Sequence, residues 1–441
     1  MKIVTRIILL IAMSVCFAHI AHSQAYTSYF TGNSADTITS PLGGICLMGG
    51  ASEDDEAMKW FLHKANGGDV LVLRASGSDG YNDYFYSDLG VDLNSVETIV
   101  CNSAAASTDE YVLDKIAKAE AIWFAGGDQW DYVSYWRNTE VAYLVNEGIN
   151  ERDIVIGGTS AGMAIQGSYY FSAQAGTVTS SEAMANPYDN DVQVASEPFL
   201  ENEYLQGVIT DTHYDDPDRR GRHMVFLARM VTDDGILAKG IACDEYTAVC
   251  IEPDGVAHVY GEYPNSDDNA YFIQANCGLA DFAPEVCEQG SPLNWSLSGM
   301  ACKTYVVKGT ADGSNTFDLN NWQTGNGGSW EHWSVDEGTL VIQVGTATDC
   351  TNSIGSTATV QDQVKIYPNP ATDFLVVEFT NPNKSLCKIE ITDAQSRTVK
   401  IVPNITSEKF TIDTLGLAAG HHSIFLQCGE DKSFLGHFIV K

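Results

Sequence analysis

Residues 154–163, Ile-Val-Ile-Gly-Gly-Thr-Ser-Ala-Gly-Met, constrain this chain more than any other stretch. A β-branched apolar run stops in Gly157 and Gly158, and Ser160 follows in a Gly-x-Ser-x-Gly frame closed by Gly162. This is the sequence form of a nucleophile elbow, a tight strand-to-helix turn. The turn holds its serine in a strained backbone conformation, and side chains at the flanking positions would collide with the strand or the helix. The serine then stands above the sheet end, at a helix start whose N–H groups favour a developing anion. Small residues also make plain turns. Here the frame ends an apolar strand and opens a helical pattern in Met163, Ile165, Gln166, Tyr169 and Tyr170, which favours a nucleophile.

Strands and helices alternate upstream. Residues 44–50 read as a strand closing in glycines, followed by an acidic helix start at 53–56. Residues 69–74, 96–101 and 121–125 are continuous apolar strands, separated by a helix at 108–118. The last strand ends in Gly126-Gly127-Asp128-Gln129, and one long helix is expected over 130–146. Continuous apolar strands between helices predict a parallel sheet covered on both faces. Sites in such sheets gather at the carboxyl ends of the strands, so Gly49-Gly50, the 126–129 turn and Ser160 should share one cleft.

Downstream, a strand over 205–211 leads into Asp211-Thr212-His213-Tyr214, then into arginines and a helix reaching Val231. Residues 240–249 place Asp244 and Glu245 between apolar residues. Singly, the histidine reads as a hydrogen-bonded residue and the acidic pair as a solvated turn. With Ser160 they form a nucleophile, a base and an acid, all at strand ends. A serine hydroxyl needs an adjacent base, and the imidazole needs a carboxylate to fix its tautomer.

These residues resemble the serine peptidase family of cyanophycinase and dipeptidase E, a branch of the class I glutamine amidotransferase-like fold. The matching motifs are Gly-Gly-Asp-Gln at 126–129, Gly-Thr-Ser-Ala-Gly at 158–162, Asp-Thr-His-Tyr at 211–214 and Asp-Glu-Tyr-Thr-Ala at 244–248. The resemblance implies an α/β three-layer sandwich with a mainly parallel sheet. It implies Ser160 as nucleophile, His213 as general base and Glu245 as the orienting acid. Oxyanion donors would be the N–H groups of Gly127 and Ala161. Gln129, Asp211, Arg220 and Arg222 would line the substrate site. An α/β-hydrolase esterase, the other owner of the frame, orders its triad Ser, acid, His. Here the histidine precedes the acid, which disfavours that reading. A binding protein on an inactive peptidase fold would require none of the three residues. Relatives that cut cyanophycin, the aspartate–arginine polymer, carry Arg-x-Arg-x-x-Arg after the histidine. Here Arg220-Gly221-Arg222 supplies two, Val225 takes the third place, and Asp215-Asp216-Pro217-Asp218 lengthens the loop.

Residues 1–23 read as a secretory signal: Lys2 and Arg6, an apolar stretch over 7–17, then small residues at Ala21 and Ser23. The apolar stretch is too short to span a bilayer, and no membrane span is expected in the mature form. Its loss leaves ten of the eleven cysteines, an even count that permits disulfides in an exported chain. Cys46 and Cys101 lie in apolar runs and read as buried thiols; Cys277, Cys287 and Cys302 are bridge candidates, and Cys387 and Cys428, the two cysteines of the tail, are expected to pair with each other. No metal spacing is present, so neither metal nor cofactor is expected. A formal charge of −34 argues against nucleic acid and anionic membranes as partners. A homodimer is left open.

The domains expected are the signal (1–23), a catalytic domain (36–308), a Gly/Asn/Trp-rich linker or small β appendage (309–361) and a β-sandwich (362–441). Trp322, Trp330 and Trp333 in the third segment suit packing better than sugar stacking. Tyr-Pro-Asn-Pro-Ala-Thr-Asp at 367–373 and the strands after it resemble the sorting domain of the type IX secretion system. That resemblance implies the secretion machinery as partner and a secreted or cell-surface location. With a peptide substrate, the combined expectation is an exported serine-type hydrolase acting on peptide or isopeptide bonds next to aspartate.

Overall fold

The computed structural model describes residues 24–347, 350 and 364–441, apart from 369, 380–385, 394–396, 408 and 429–430. The expected signal and most of 348–361 lie outside the described residues.

The first strands are β1 (Tyr26–Gly32), β2 (Gly44–Met48), β3 (Asp69–Arg74), β4 (Ser95–Cys101), β5 (Ala121–Phe124) and β6 (Val155–Thr159). A two-stranded hairpin, β7 (Tyr170–Phe171) and β8 (Val194–Ala195), follows the elbow. Then come β9 (Val208–Asp211), β10 (Lys239–Cys243), β11 (Ala248–Ile251), β12 (Val256–Tyr263) and β13 (Asn269–Ala275). The unit closes with β14 (Cys302–Lys308), β15 (Asn315–Asp318), β16 (Gly325–Asn326), β17 (Gly328–Asp336) and β18 (Thr339–Val344).

One sheet has ten strands in the order β1-β4-β3-β5-β6-β2-β11-β12-β15-β16. Its centre, β4-β3-β5-β6-β2, is parallel throughout, as the unbroken apolar runs predict. Alternate residues feed two cores. Ile45 and Leu47 of β2 join one, with the helices Glu110–Lys118, Gln129–Trp136 and Glu140–Glu151; Cys46 and Met48 join the other, with the helix Asp55–Lys64. Fully buried side chains such as Leu47, Leu73 and Ile156 each contribute roughly 1.5–3 kcal/mol. The helix Asp55–Lys64 starts where the Asp54 carboxylate accepts from the Ala57 N–H at 2.9 Å. A second sheet, β18-β17-β14-β13-β10-β9, lends Ile241, Phe272 and Tyr305 to the first core, and the helix Arg220–Asp234 packs against its strands. The architecture is mixed α/β around a large, centrally parallel sheet.

Three features differ from the sequence reading. The helix expected over 130–146 is two helices, because Asn138 adopts φ 60° and Thr139 is extended between them. The apolar residues on either side of Asp244 and Glu245, expected only as strand residues, belong to two different sheets: β10 to the second and β11 to the first, with the chain crossing between them at 244–247. Residues 309–344 are not set apart either. β15 pairs with β12, and β17 pairs with β14, so this segment completes both sheets. Trp322 and Trp333 are buried there, and Trp330 packs against the core, consistent with packing.

Of Cys277, Cys287 and Cys302 only Cys277 is bonded, to Cys350. Cys302 is a free thiol fully buried in β14, and Cys287 is free and partly buried.

A second compact unit comprises Asn276–Phe282 and residues 348–441. In its tail, β19 (Lys365–Tyr367), β20 (Phe374–Glu378), β21 (Cys387–Asp393), β22 (Thr398–Ile405), β23 (Lys409–Asp413), β24 (Gly420–Cys428) and β25 (Asp431–Val440) form two small sheets. Their orders are β19-β20-β23 and β22-β21-β24-β25, around Leu375, Ile389, Ile412 and Phe438. Cys387 is disulfide-bonded and stands opposite Cys428 in the β21–β24 register.

Candidate active site

Ser160 follows β6 directly and holds φ 52° and ψ −116°, a strained conformation for a residue with a side chain. Its N–H donates to the Met48 carbonyl at 3.1 Å, and the short helix Ala161–Ala164 starts at once. Both flanking glycines are required by close approach. A Cβ on Gly158 would lie 2.5 Å from the Gly162 backbone, and one on Gly162 would lie 2.0 Å from the Phe124 carbonyl oxygen.

The other two residues arrive from the second sheet, His213 after β9 and Glu245 after β10. His213 Nε2 lies 2.9 Å from Ser160 Oγ, and its Nδ1 lies 2.6 Å from Glu245 Oε1. With Nδ1–H donating to the carboxylate, Nε2 is left to accept from the serine hydroxyl. The end of β2 fastens both loops: His213 N–H donates to Gly49 O at 2.9 Å, and Tyr246 N–H to Gly50 O at 3.1 Å. Gly49 N–H donates back to Thr247 O at 2.9 Å. A Cβ on Gly50 would sit 2.4 Å from the imidazole, so only glycine leaves room for the ring. His213 (φ 47°) and Tyr246 (φ 61°) share the strain of Ser160. Asp215, in the lengthened loop, accepts the Glu245 N–H at 2.9 Å. Asp244 faces away, taking the N–H and side-chain amide of Asn269 at 3.1 and 2.8 Å. Burial pushes its carboxyl up to about 7.

Ser160 and His213 open onto a cavity of about 210 Å³ that includes Gly127, Gln129, Ala161, Phe171, Thr177, Asp211, Arg219 and Arg222 among its lining. Gln129, Asp211, Arg222 and the two expected oxyanion positions are therefore all at the site. Ala161 opens the helix, so its N–H has no intrahelical acceptor.

Arg220 is not among the lining residues. It points outward and pairs with Asp218 through both ends of its guanidinium, at 2.9 and 2.6 Å, with about half of the Asp218 side chain exposed. Arg219 takes the place in the cavity. Arg219 closes the turn before the helix Arg220–Asp234, and one residue further on the helix has rotated the side chain away from the cleft. The pocket arginines thus stand at positions 219 and 222. That spacing fits the second and third places of the Arg-x-Arg-x-x-Arg run, leaving Pro217 at the first. Val225, expected at the third, is buried in the helix and is not a lining residue.

Arg222 and Asp211 form a bidentate pair at 2.9 and 2.5 Å, both nearly inaccessible to solvent. Burial alone would raise the Asp211 carboxyl, but the guanidinium overrides it and holds it below the ordinary carboxylate range. The Arg222 fork is therefore occupied within the protein. Arg219 donates to the Thr212 carbonyl at 3.0 Å and makes no ion pair among the described residues. Sequence reasoning missed Arg219 for want of helix phase; it placed Gly49-Gly50 in the cleft, without the contact that Gly50 makes room for.

Residues 54–259 match the family model of Peptidase family S51. Residues 365–441 match the secretion system C-terminal sorting domain. Cyanophycinases of Synechococcus elongatus and Thermosynechococcus vestitus are each 26% identical to this chain over 230 residues. That match covers 49% of this chain and 66% of either relative, just under two thirds. Among solved structures, a peptidase from an acI-B1 Actinobacterium aligns with a TM-score of 0.40 at 13% identity, covering 63% of this chain and 98% of the other. The S51 match ends within β12, so the strands after it extend the sheets beyond the matched region.

Proposed function

We propose that this protein is an exported serine-type peptidase, similar to cyanophycinase, that cleaves peptide or isopeptide bonds next to an acidic residue through an acyl-enzyme. The observation that carries the proposal is the continuous hydrogen-bonded line from Ser160 Oγ through His213 to Glu245. Ser160 attacks the scissile carbonyl while His213 takes its proton, and Glu245 stabilises the imidazolium. The N–H groups of Gly127 and Ala161 receive the oxyanion. His213 then protonates the leaving amine, and water releases the acyl group by the same route. Substrate charge is read from the cavity's own charges. Asp211 and Arg222 neutralise each other, leaving the Arg219 guanidinium to meet a substrate carboxylate as a two-point fork. The sorting-domain match supports delivery to the cell surface or medium by the type IX machinery.

A serine-directed phosphonate probe tests the mechanism. Wild type should be labelled covalently at Ser160. Ser160→Ala should lose the label and turn over peptide on the order of 10⁴-fold more slowly or worse. Unchanged labelling or turnover in that variant would overturn the assignment.

A further inference from the structure

Cys46 and Cys250 take no part in the proposed chemistry, and both are completely buried. They are direct register partners on the antiparallel strands β2 and β11. The Gly49 N–H bonds to the Thr247 carbonyl, which makes that rung a hydrogen-bonded pair. Pairs alternate along an antiparallel ladder, so three rungs away Cys46 and Cys250 form a non-hydrogen-bonded pair. Such pairs hold their Cα atoms about 4.5 Å apart, inside the roughly 4.4–6.8 Å that a disulfide spans. The two sulfurs already touch at 3.7 Å. Side-chain rotation and a small approach of the two strands close that gap.

We infer that in the exported protein Cys46 and Cys250 are oxidised to a disulfide that ties β2 to β11. The sorting domain marks the chain for secretion, and export takes it through compartments where disulfides persist. The oxidant is a dithiol–disulfide oxidoreductase. One cysteine thiolate attacks its disulfide, forming a mixed disulfide and releasing one enzyme thiolate. The second cysteine thiolate then displaces the other enzyme sulfur and forms the Cys46–Cys250 bond. Two electrons pass to the oxidoreductase, and the two thiol protons end on its reduced thiols. Burial holds the Cys250 thiol well above its ordinary range, so the exchange belongs to a stage before β2 and β11 close over the sulfurs. The inference does not depend on the proposed activity.

The test is disulfide mapping of the full chain secreted by a bacterial host. The protein is denatured without reductant, its free thiols are blocked with N-ethylmaleimide, and the digest is read by mass spectrometry. A linked peptide pair containing Cys46 and Cys250, lost on reduction, is expected. Maleimide on both residues, or a link from either to Cys243, overturns the inference. Thermal unfolding of the Cys46→Ala/Cys250→Ala double variant gives a second reading. Reductant should lower the midpoint of wild type more than that of the variant, where only the remaining disulfides respond. Equal shifts overturn it.

Discussion

Arg219 and Arg220 are neighbours in sequence with different surroundings, and the difference can be measured. Arg219→Ala should raise KM for aspartyl peptides about tenfold or more, since a charge-assisted hydrogen bond is worth roughly 1.5–3 kcal/mol. Arg220→Ala removes an exposed ion pair worth under about 1 kcal/mol and should leave the substrate profile unchanged. Equal effects in steady-state kinetics would place both arginines on the surface. The acidic pair divides similarly. Glu245→Gln should depress kcat, while Asp244→Asn should act on stability. An unfolded carboxyl titrates near 3.9, whereas folded Asp244 titrates at about 7. Between those values the folded state keeps a proton that the unfolded state has released. This group's contribution to stability therefore falls as pH rises from about 4 to about 7. Denaturant unfolding at pH 5 and pH 8 should show Asp244→Asn gaining on wild type at the higher pH; parallel curves would exclude it. At this scale the placement of Ser160, His213, Glu245, Gln129 and Asp211 at one cleft was legible, because each sits in a short motif at a strand end. Arg219 was not, because choosing among three arginines requires the phase of a helix start that no periodicity marks.

Two glycines at the end of β2 act as a single element. Gly49 and Gly50 hold the histidine loop and the acid loop by main-chain bonds and leave the ring its space. Gly50→Ala adds a methyl against His213 and forces an alanine to φ +123°. The backbone strain alone costs on the order of 1–3 kcal/mol. The displaced imidazole should lower kcat about 10²-fold, with KM little changed. A variant that loses stability in thermal unfolding but keeps full kcat would show that the ring tolerates the contact. The parallel strands were readable from their unbroken apolar runs, since both faces are covered. The crossing at 244–247 was not, because two consecutive strands look alike whether they share a sheet or leave it. The role of 309–344 was hidden for a related reason. Its Gly- and Asn-rich composition describes its turns, while its pairing partners lie at β12 and β14.

Seen whole, the chain has a tail with its own core and a larger unit whose two sheets draw on residues from 26 to 344. Deletion of residues 362–441 keeps every strand of the larger unit and the Cys277–Cys350 bridge. The truncated protein should remain folded and keep its activity, while a fractionation assay in the native host should find it absent from the cell surface. An inactive truncated protein would show that the tail completes the site. The late strands carry a different consequence, concerning the order in which the chain becomes available. A ribosome that has delivered only the first 300 residues has released Ser160, His213 and Glu245. Yet β12 still lacks β15, and β13 still lacks β14. Both would present open ladders of unpaired N–H and C=O groups, the surfaces most prone to join another chain. Non-local pairing of this kind is also slow to form. Holding back the strands that seal both sheets until nearly the end of the unit therefore delays closure of both sheets.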